Sequence, residues 1–138
     1  MFSLTRKSDY GLLMLSFLAI KGNGGRMSLT EMAQRGMPKA FMAQIANSLV
    51  RAGILRSKEG RGGGYSLGGE PKKIVLRQVL EAIEGDLAPV MCVLAVKRCP
   101  AESICGQRVV MHKVTNQIGE VLERYNLADF VSGWEGEK

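Results

Sequence analysis

The chain has few of the side chains that most enzymes use: one histidine, one tryptophan and three cysteines in 138 residues. With a single histidine and no evident base beside a thiol, a cysteine-nucleophile enzyme is disfavoured, and no enzymatic activity is expected. Long hydrophobic runs are also missing. The most apolar stretch, residues 11–20, is interrupted by Ser16 and closed by Lys21, short of the roughly 18 apolar residues of a membrane span. No small-residue cleavage site follows the N-terminal residues, so no secretory signal is expected and the protein is placed in the cytoplasm. Close cysteine pairs, usually about two to four residues apart in zinc ribbons and fingers, are absent as well.

What is present describes a single globular unit. The composition is 46% hydrophobic and 23% charged, which is neither disordered nor membrane-like. The length supports one domain's core with an appendage. An odd number of cysteines in a reducing compartment argues against a disulfide framework and leaves metal ligation, redox chemistry or burial.

The formal charge of +6 is unevenly placed. Up to Val75 there are twelve Lys and Arg against Asp9, Glu31, Glu59 and Glu70, a net +8; from Leu76 onward seven face nine, a net −2. A uniformly solvated surface has no reason to divide this way, so the basic half is read as a nucleic-acid face.

That half reads as three helices and a hairpin. Leu12, Leu13, Leu15, Phe17, Leu18 and Ile20 make the first helix apolar around most of its circumference, and it ends at the turn cluster 21–25. Ser28 with Glu31 forms a capping box that starts a short helix ending near Gly36. Pro38 suits the first position of a third helix, in which Phe41, Met42, Ile45, Leu49 and Val50 repeat at helical spacing and Gly53 closes the end. Its other face carries Lys39, Gln44, Asn47 and Arg51, which suit phosphates and base edges. Two short strand-like runs, residues 54–58 and 65–67, then flank the tip Glu59-Gly60-Arg61-Gly62-Gly63-Gly64. A glycine-rich, Arg-bearing hairpin attached to a helix-turn-helix is the signature of a winged helix. The tip lacks the Gly-Lys-Ser/Thr and following helix of a phosphate-binding P-loop.

In the second half Leu76, Val79, Leu80 and Ile83 trace a fourth helix that stops at Gly85. Periodicity then fails from 86 to 107, and this stretch holds Cys92, Cys99 and Cys105. Beyond it Val110, Val114, Ile118, Val121, Leu122 and Tyr125 form the stripe of a long helix, read either as a dimerisation helix or as packing back on the fourth. Residues 126–130 read as a break and a last turn, followed by a frayed tail. On spacing alone, buried structural cysteines and a metal cluster stand level. The flanking Lys97, Arg98, Pro100, Glu102 and Gly106 are not core neighbours and favour a cluster, since nearby positive charge stabilises thiolates and an anionic centre. Three thiolates leave room for a fourth, non-cysteine ligand, for which His112, the sole histidine, is one candidate.

The segments Leu49-Val50-Arg51-Ala52-Gly53-Ile54-Leu55-Arg56-Ser57, Gly60-Arg61-Gly62-Gly63-Gly64-Tyr65-Ser66-Leu67 and Val79-Leu80-Glu81-Ala82-Ile83-Glu84-Gly85, with the three-cysteine stretch, resemble the Rrf-two family of bacterial regulators. The likeness runs from Leu4 to about Val131. It implies a mainly α, winged helix-turn-helix fold with a small β-hairpin wing and a long C-terminal dimerisation helix. The expected divisions are a DNA-binding domain at 1–85, a cluster-binding loop at 86–107, and the dimerisation helix and tail at 108–138. The resemblance further implies a homodimer on a double-stranded DNA operator, without membrane association. It is expected to act as a repressor whose affinity is governed by an iron-sulfur cluster sensing iron-sulfur status, nitric oxide or redox state. A cluster-free thiol or cysteine-metabolism regulator of the same fold is the alternative.

By position Cys92, Cys99 and Cys105 match the family's cluster ligands. Where its iron-sulfur-assembly regulators have a ligating histidine, three residues past the last cysteine, this chain has Arg108. Where its nitric-oxide-responsive members have an acidic ligand from the other subunit, this chain has Asp9, which is preferred to His112; Asp9 can also serve its helix N-terminus electrostatically. Gln44 matches a base-contact position, whereas Ala40, Ala43 and Glu59 depart from the family's iron-sulfur-assembly regulators, so a different operator is expected. Arg61 is expected to take the wing's groove contact, and the complete set of expected DNA contacts is Ser28, Lys39, Gln44, Asn47, Arg51, Lys58, Arg61 and Gly62.

Overall fold

The first helix, α1 (Arg6–Lys21), is the packing axis. Met14, Leu15 and Leu18 on it are essentially inaccessible to solvent, because apolar residues over most of its circumference can be buried only if neighbours surround it. In the computed structural model, which describes residues 4–22, 24–87 and 99–136, those neighbours are α3, α4, the last helix and the wing. Cys92, Lys97 and Arg98 lie outside the described residues.

Helix α2 (Leu29–Gln34) and helix α3 (Lys39–Arg51) complete the helix-turn-helix. The Glu31 N–H donates to Ser28 Oγ at 3.1 Å, so one half of the capping box forms. The Glu31 carboxylate instead meets Lys21 Nζ at 3.4 Å. Pro38 is the residue before α3 rather than its first turn, with extended backbone that aims the chain into the helix. At the other end Gly53, at φ +77°, donates to the Val50 carbonyl while Ile54 donates to that of Leu49. This pairing satisfies two orphan carbonyls and packs buried Ile54 near buried Leu49.

Strands β1 (Leu55–Lys58) and β2 (Gly64–Leu67) pair antiparallel, Leu55 opposite Leu67 and Lys58 opposite Gly64. Met27 adds a short third edge, exchanging two 2.9 Å backbone hydrogen bonds with Tyr65. A Cβ on Gly64, at φ +127°, would lie 2.7 Å from the Met27 carbonyl oxygen, and one on Gly63 would lie 2.3 Å from that of Lys58. The glycine run is therefore required by close backbone approach as well as by the turn.

Helix α4 (Leu76–Glu84) buries Val79 and Leu80 in the core. Two helices follow the cysteine stretch, α5 (Gly106–Glu123) and α6 (Leu127–Gly136). The second corrects the expected last turn and frayed tail. Asn126 Oδ1 accepts from the Ala128 N–H at 2.9 Å, and Asp129 Oδ2 accepts from the Asn126 N–H at 2.8 Å, a reciprocal cap. Leu127 is fully buried and Phe130 and Val131 pack on the core, so α6 returns to α1. A buried leucine contributes about 1.5–3 kcal/mol, which holds this return in place.

The junction between α5 and α6 is also clipped to the chain preceding α4. Leu76 N–H donates to the Tyr125 carbonyl at 2.8 Å, and Leu127 N–H to that of Ile74 at 3.1 Å. Arg77 on α4 reaches Glu81 at 2.8 Å and Glu123 at 2.6 Å, which hold its guanidinium above its ordinary pKa, Glu81 first. It lies over Gly119, the buried residue of α5, where a Cβ would come within 2.9 Å of the guanidinium carbon. The C-terminal part of the long helix thus does pack back on α4.

Replacing Gly64 by Ala should cost about 1–3 kcal/mol, from its positive φ and the Met27 carbonyl. Gly69→Ala, where a Cβ meets nothing within 4 Å, should be near neutral. The two midpoints of urea unfolding test this.

Candidate nucleic-acid interface and thiol site

On α3 the buried residues Met42, Ile45, Ala46 and Leu49 occupy one arc. Gln44, Asn47 and Arg51 fall on the opposite arc, spaced three and four residues apart, and all are exposed, as is Lys39 at the start of the helix. The sequence-expected polar face is therefore one continuous strip. The other expected contacts lie at the start of α2 and on the wing. Ser28 is half-buried and already accepts the α2 cap hydrogen bond. Lys58, Arg61 and Gly62 are exposed around the hairpin tip.

The tip is held by a residue that sequence reading did not single out. Arg26 Nη1 donates to the Gly62 carbonyl at 3.0 Å, from the residue next to the Met27 edge. No spacing signal joins residues 36 positions apart. The partial clue is that Arg26 precedes a residue that must pair with the wing.

The thiol region is only partly described. Cys99 is exposed and Cys105 half-buried, both as free thiols. They bound a tight turn, in which Glu102 N–H donates to the Cys99 carbonyl at 3.0 Å and Ile104 N–H to that of Ala101 at 3.1 Å. Cys105 is the residue from which α5 starts. Arg108 forms an ion pair with Glu102 and braces this turn, so its side chain is committed there. Thiolate is the donor that iron-sulfur chemistry requires, and free thiols at these two positions fit such a group. Among the described residues no set of three or more His, Cys, Asp or Glu gathers at one point.

The candidate fourth ligands differ in position. His112 is exposed on α5, seven residues beyond Cys105 and therefore about 10 Å along the helix axis. Asp9 is exposed in the first turn of α1. Its neighbour Ser8 is fully buried and donates to Glu84 Oε1 at 2.6 Å, and Thr5 also reaches that carboxylate. Glu84 ends α4, just before the cysteine stretch. The start of α1 and the departure point of the cysteines thus share one carboxylate anchor.

Comparison with known proteins decides the family. A family profile described as "Rrf2: Iron-dependent Transcriptional regulator" matches residues 4–133. The chain belongs to the Rrf2 (Rrf-two) family. It is 31% identical over 134 residues to the HTH-type transcriptional regulator NsrR of Bacillus subtilis strain 168, covering 96% of this chain and 92% of that protein. Its fold matches CymR, the global cysteine regulator of B. subtilis, with TM-score 0.73 at 28% identity over 96% and 98% of the two chains. It matches IscR of T. potens with TM-score 0.75 at 28% identity over 99% and 91%. The protein is therefore a DNA-binding transcriptional regulator of winged-helix fold, not an enzyme. Among the described residues no helix is long and apolar enough to cross a membrane.

Removing the Arg26 side chain should free the wing tip. Arg26→Ala is expected to raise amide hydrogen exchange at residues 60–64 and leave α3 protection unchanged, measured by native-state exchange. Equal loosening of both regions would show that Arg26 supports the fold at large.

Proposed function

We propose that the protein is a homodimeric repressor whose operator affinity is set by an iron-sulfur cluster on Cys92, Cys99 and Cys105 of one subunit and Asp9 of the partner subunit. The observation that carries this reading is the state of the ligand positions. Cys99 and Cys105 are free thiols at either end of one turn, and Arg108 is engaged by Glu102. The exposed acid beside the part-buried Ser8–Glu84 bond is Asp9. When bound, the cluster supplies a centre that reacts with oxidants and nitric oxide.

The chain's own residues do the remainder. α3 lies in the major groove, with Lys39, Gln44, Asn47 and Arg51 toward DNA, and Ser28 meets the backbone. Lys58, Arg61 and Gly62 present the wing to the minor groove, where Arg61 meets a narrow, negative channel. The exposed apolar face at the start of α5 packs against the second subunit. Residues 1–85 then read DNA, 86–107 hold the cluster and 108–138 join the dimer, with α6 also bracing the first of these units.

The link between cluster and DNA runs through Glu84. Ties to Asp9 at one side and to the cysteine stretch at the other both load the same Ser8–Glu84 hydrogen bond, which fixes α1 on α4. α3 packs on both helices, so the spacing of the two recognition helices follows. A coupling of about 1–3 kcal/mol changes affinity roughly 5- to 150-fold. Sensing of iron-sulfur status, nitric oxide or redox state is the signal class, and the cytoplasm is the compartment.

A second reading is favoured by the likeness to CymR: a cluster-free regulator in which exposed Cys99 is oxidised. Iron and sulfide analysis of anaerobically purified protein separates the two. The cluster reading expects both elements with iron-thiolate visible absorption; a colourless, iron-free preparation, even after reconstitution, defeats it. Asp9→Ala should alter that absorption while His112→Ala leaves it unchanged, and the reverse would exchange their roles. For DNA, Gln44→Ala should cost about 1–3 kcal/mol and relax base preference at one operator position, read by binding to a set of single-base variants.

A further inference from the structure

We propose that the cleft between α1, α3 and α4 seats a phosphodiester of the DNA backbone, with Lys7 supplying a cation from outside the recognition helix. This rests on the reading that α3 faces DNA. The cleft has a volume of about 300 Å³. Lys7, Asn47, Ser48 and Arg51 share its wall, and Ile45 and Ile83 form its apolar part.

The chemistry of the lining selects an anion. Two cations and two amides converge without a carboxylate among the lining residues, while the Ser48 hydroxyl donates to the Gln44 carbonyl at 3.2 Å. Lys21, Arg77 and Arg108 are each occupied by a glutamate. Among the described residues neither Lys7 nor Arg51 has such a partner. Apolar walls beside the charges reduce solvent screening and favour a bound oxyanion.

Geometry makes the occupant a DNA phosphate. Gln44, which also lines the cleft, and Asn47 belong to the exposed strip of α3, so the opening lies on the surface that a duplex read by α3 must cover. The backbone that carries Lys7 is also held in place, between the Thr5 cap and the buried Ser8, both bound to Glu84. A cation mounted on fixed backbone contributes register and affinity without reading bases. It also places the phosphate contact two residues from Asp9, on the same helical turn.

The test uses the full-length protein, a mixed-sequence duplex and the best duplex recovered by in vitro selection on the wild type. Lys7→Ala should weaken binding to both duplexes several-fold by the same factor. The slope of log affinity against log salt should shrink by about 0.9, the value for one phosphate. Lys7→Arg should restore both. Lys7 is exposed, so the unfolding midpoint should not move, and a lowered midpoint with unchanged salt slope would overturn the proposal. Unchanged affinity, or a loss confined to the selected duplex, would do the same. Saturable binding of inorganic phosphate to the DNA-free wild type, abolished by Lys7→Ala, would assign the cleft to a free anion instead. If Lys7→Ala behaves as expected while Gln44→Ala keeps its base preference, the assignment of α3 fails and that of the cleft stands.

Discussion

Burial of α1 is the constraint from which the other elements take their places. Met14, Leu15 and Leu18 are removed from water by α3, α4, α6 and the wing together, and no single neighbour suffices for a helix apolar on most sides. Gly11 marks the tightest point. A Cβ there would fall 2.4 Å from Ile83 Cδ1 on α4 and 3.3 Å from Ile45 Cγ2 on α3. The recognition helix and α4 therefore meet α1 at one residue, and its first turn is positioned against both. Three consecutive side chains of that turn go separate ways: Lys7 to the cleft beside α3, Ser8 into the Glu84 bond, Asp9 to solvent.

The wing depends on the same arrangement through a different contact. A two-stranded hairpin is marginal alone, and this one gains the Met27 edge, the Arg26 bond to its tip and the packing of Tyr65 and Leu67 on the core. Met27 lies between α1 and α2, so wing and recognition helix are fixed to one frame from two sides. Arg61 is left exposed at the tip, in the place from which the proposed groove contact is made.

Much of this was legible in the sequence where local rules apply. Gly53, Gly85 and Ser28 end or start helices where the pattern said, because caps are decided by residues within one turn of each other. The division of charge between the two halves needs only counting. Misreadings arose where two local signals compete or where partners are distant. Asn126-Leu127-Ala128-Asp129 has capping-box spacing, yet Asn after a helix also reads as a stop, and only burial of Leu127 decides. Glu31 was expected to complete its own cap, but Lys21 offers it an ion pair across the turn. Arg26 had only the partial clue of its neighbour, and Glu84 and Lys7 had none, since the groups that Arg26 and Glu84 bind lie 36 and 76 positions away and the cleft beside Lys7 exists only in the folded chain.

The distribution of apolar surface supports the proposed pairing of two copies. The far end of α5 is held by Arg77, Glu123 and the Tyr125 clip, but at its start Val109 and Val110 remain 59% and 56% exposed, with Ile104 at 87% just before it. Covering these side chains would contribute about 1.5–3 kcal/mol each at full burial, and nothing among the described residues of the same chain does so. Cys105 lies between Ile104 and these valines. Any second subunit that covers the patch must also change the solvent access of that thiol and of the turn braced by Arg108 and Glu102. In the proposed dimer, subunit contact and thiol chemistry therefore fall on the same few residues, and each constrains the other.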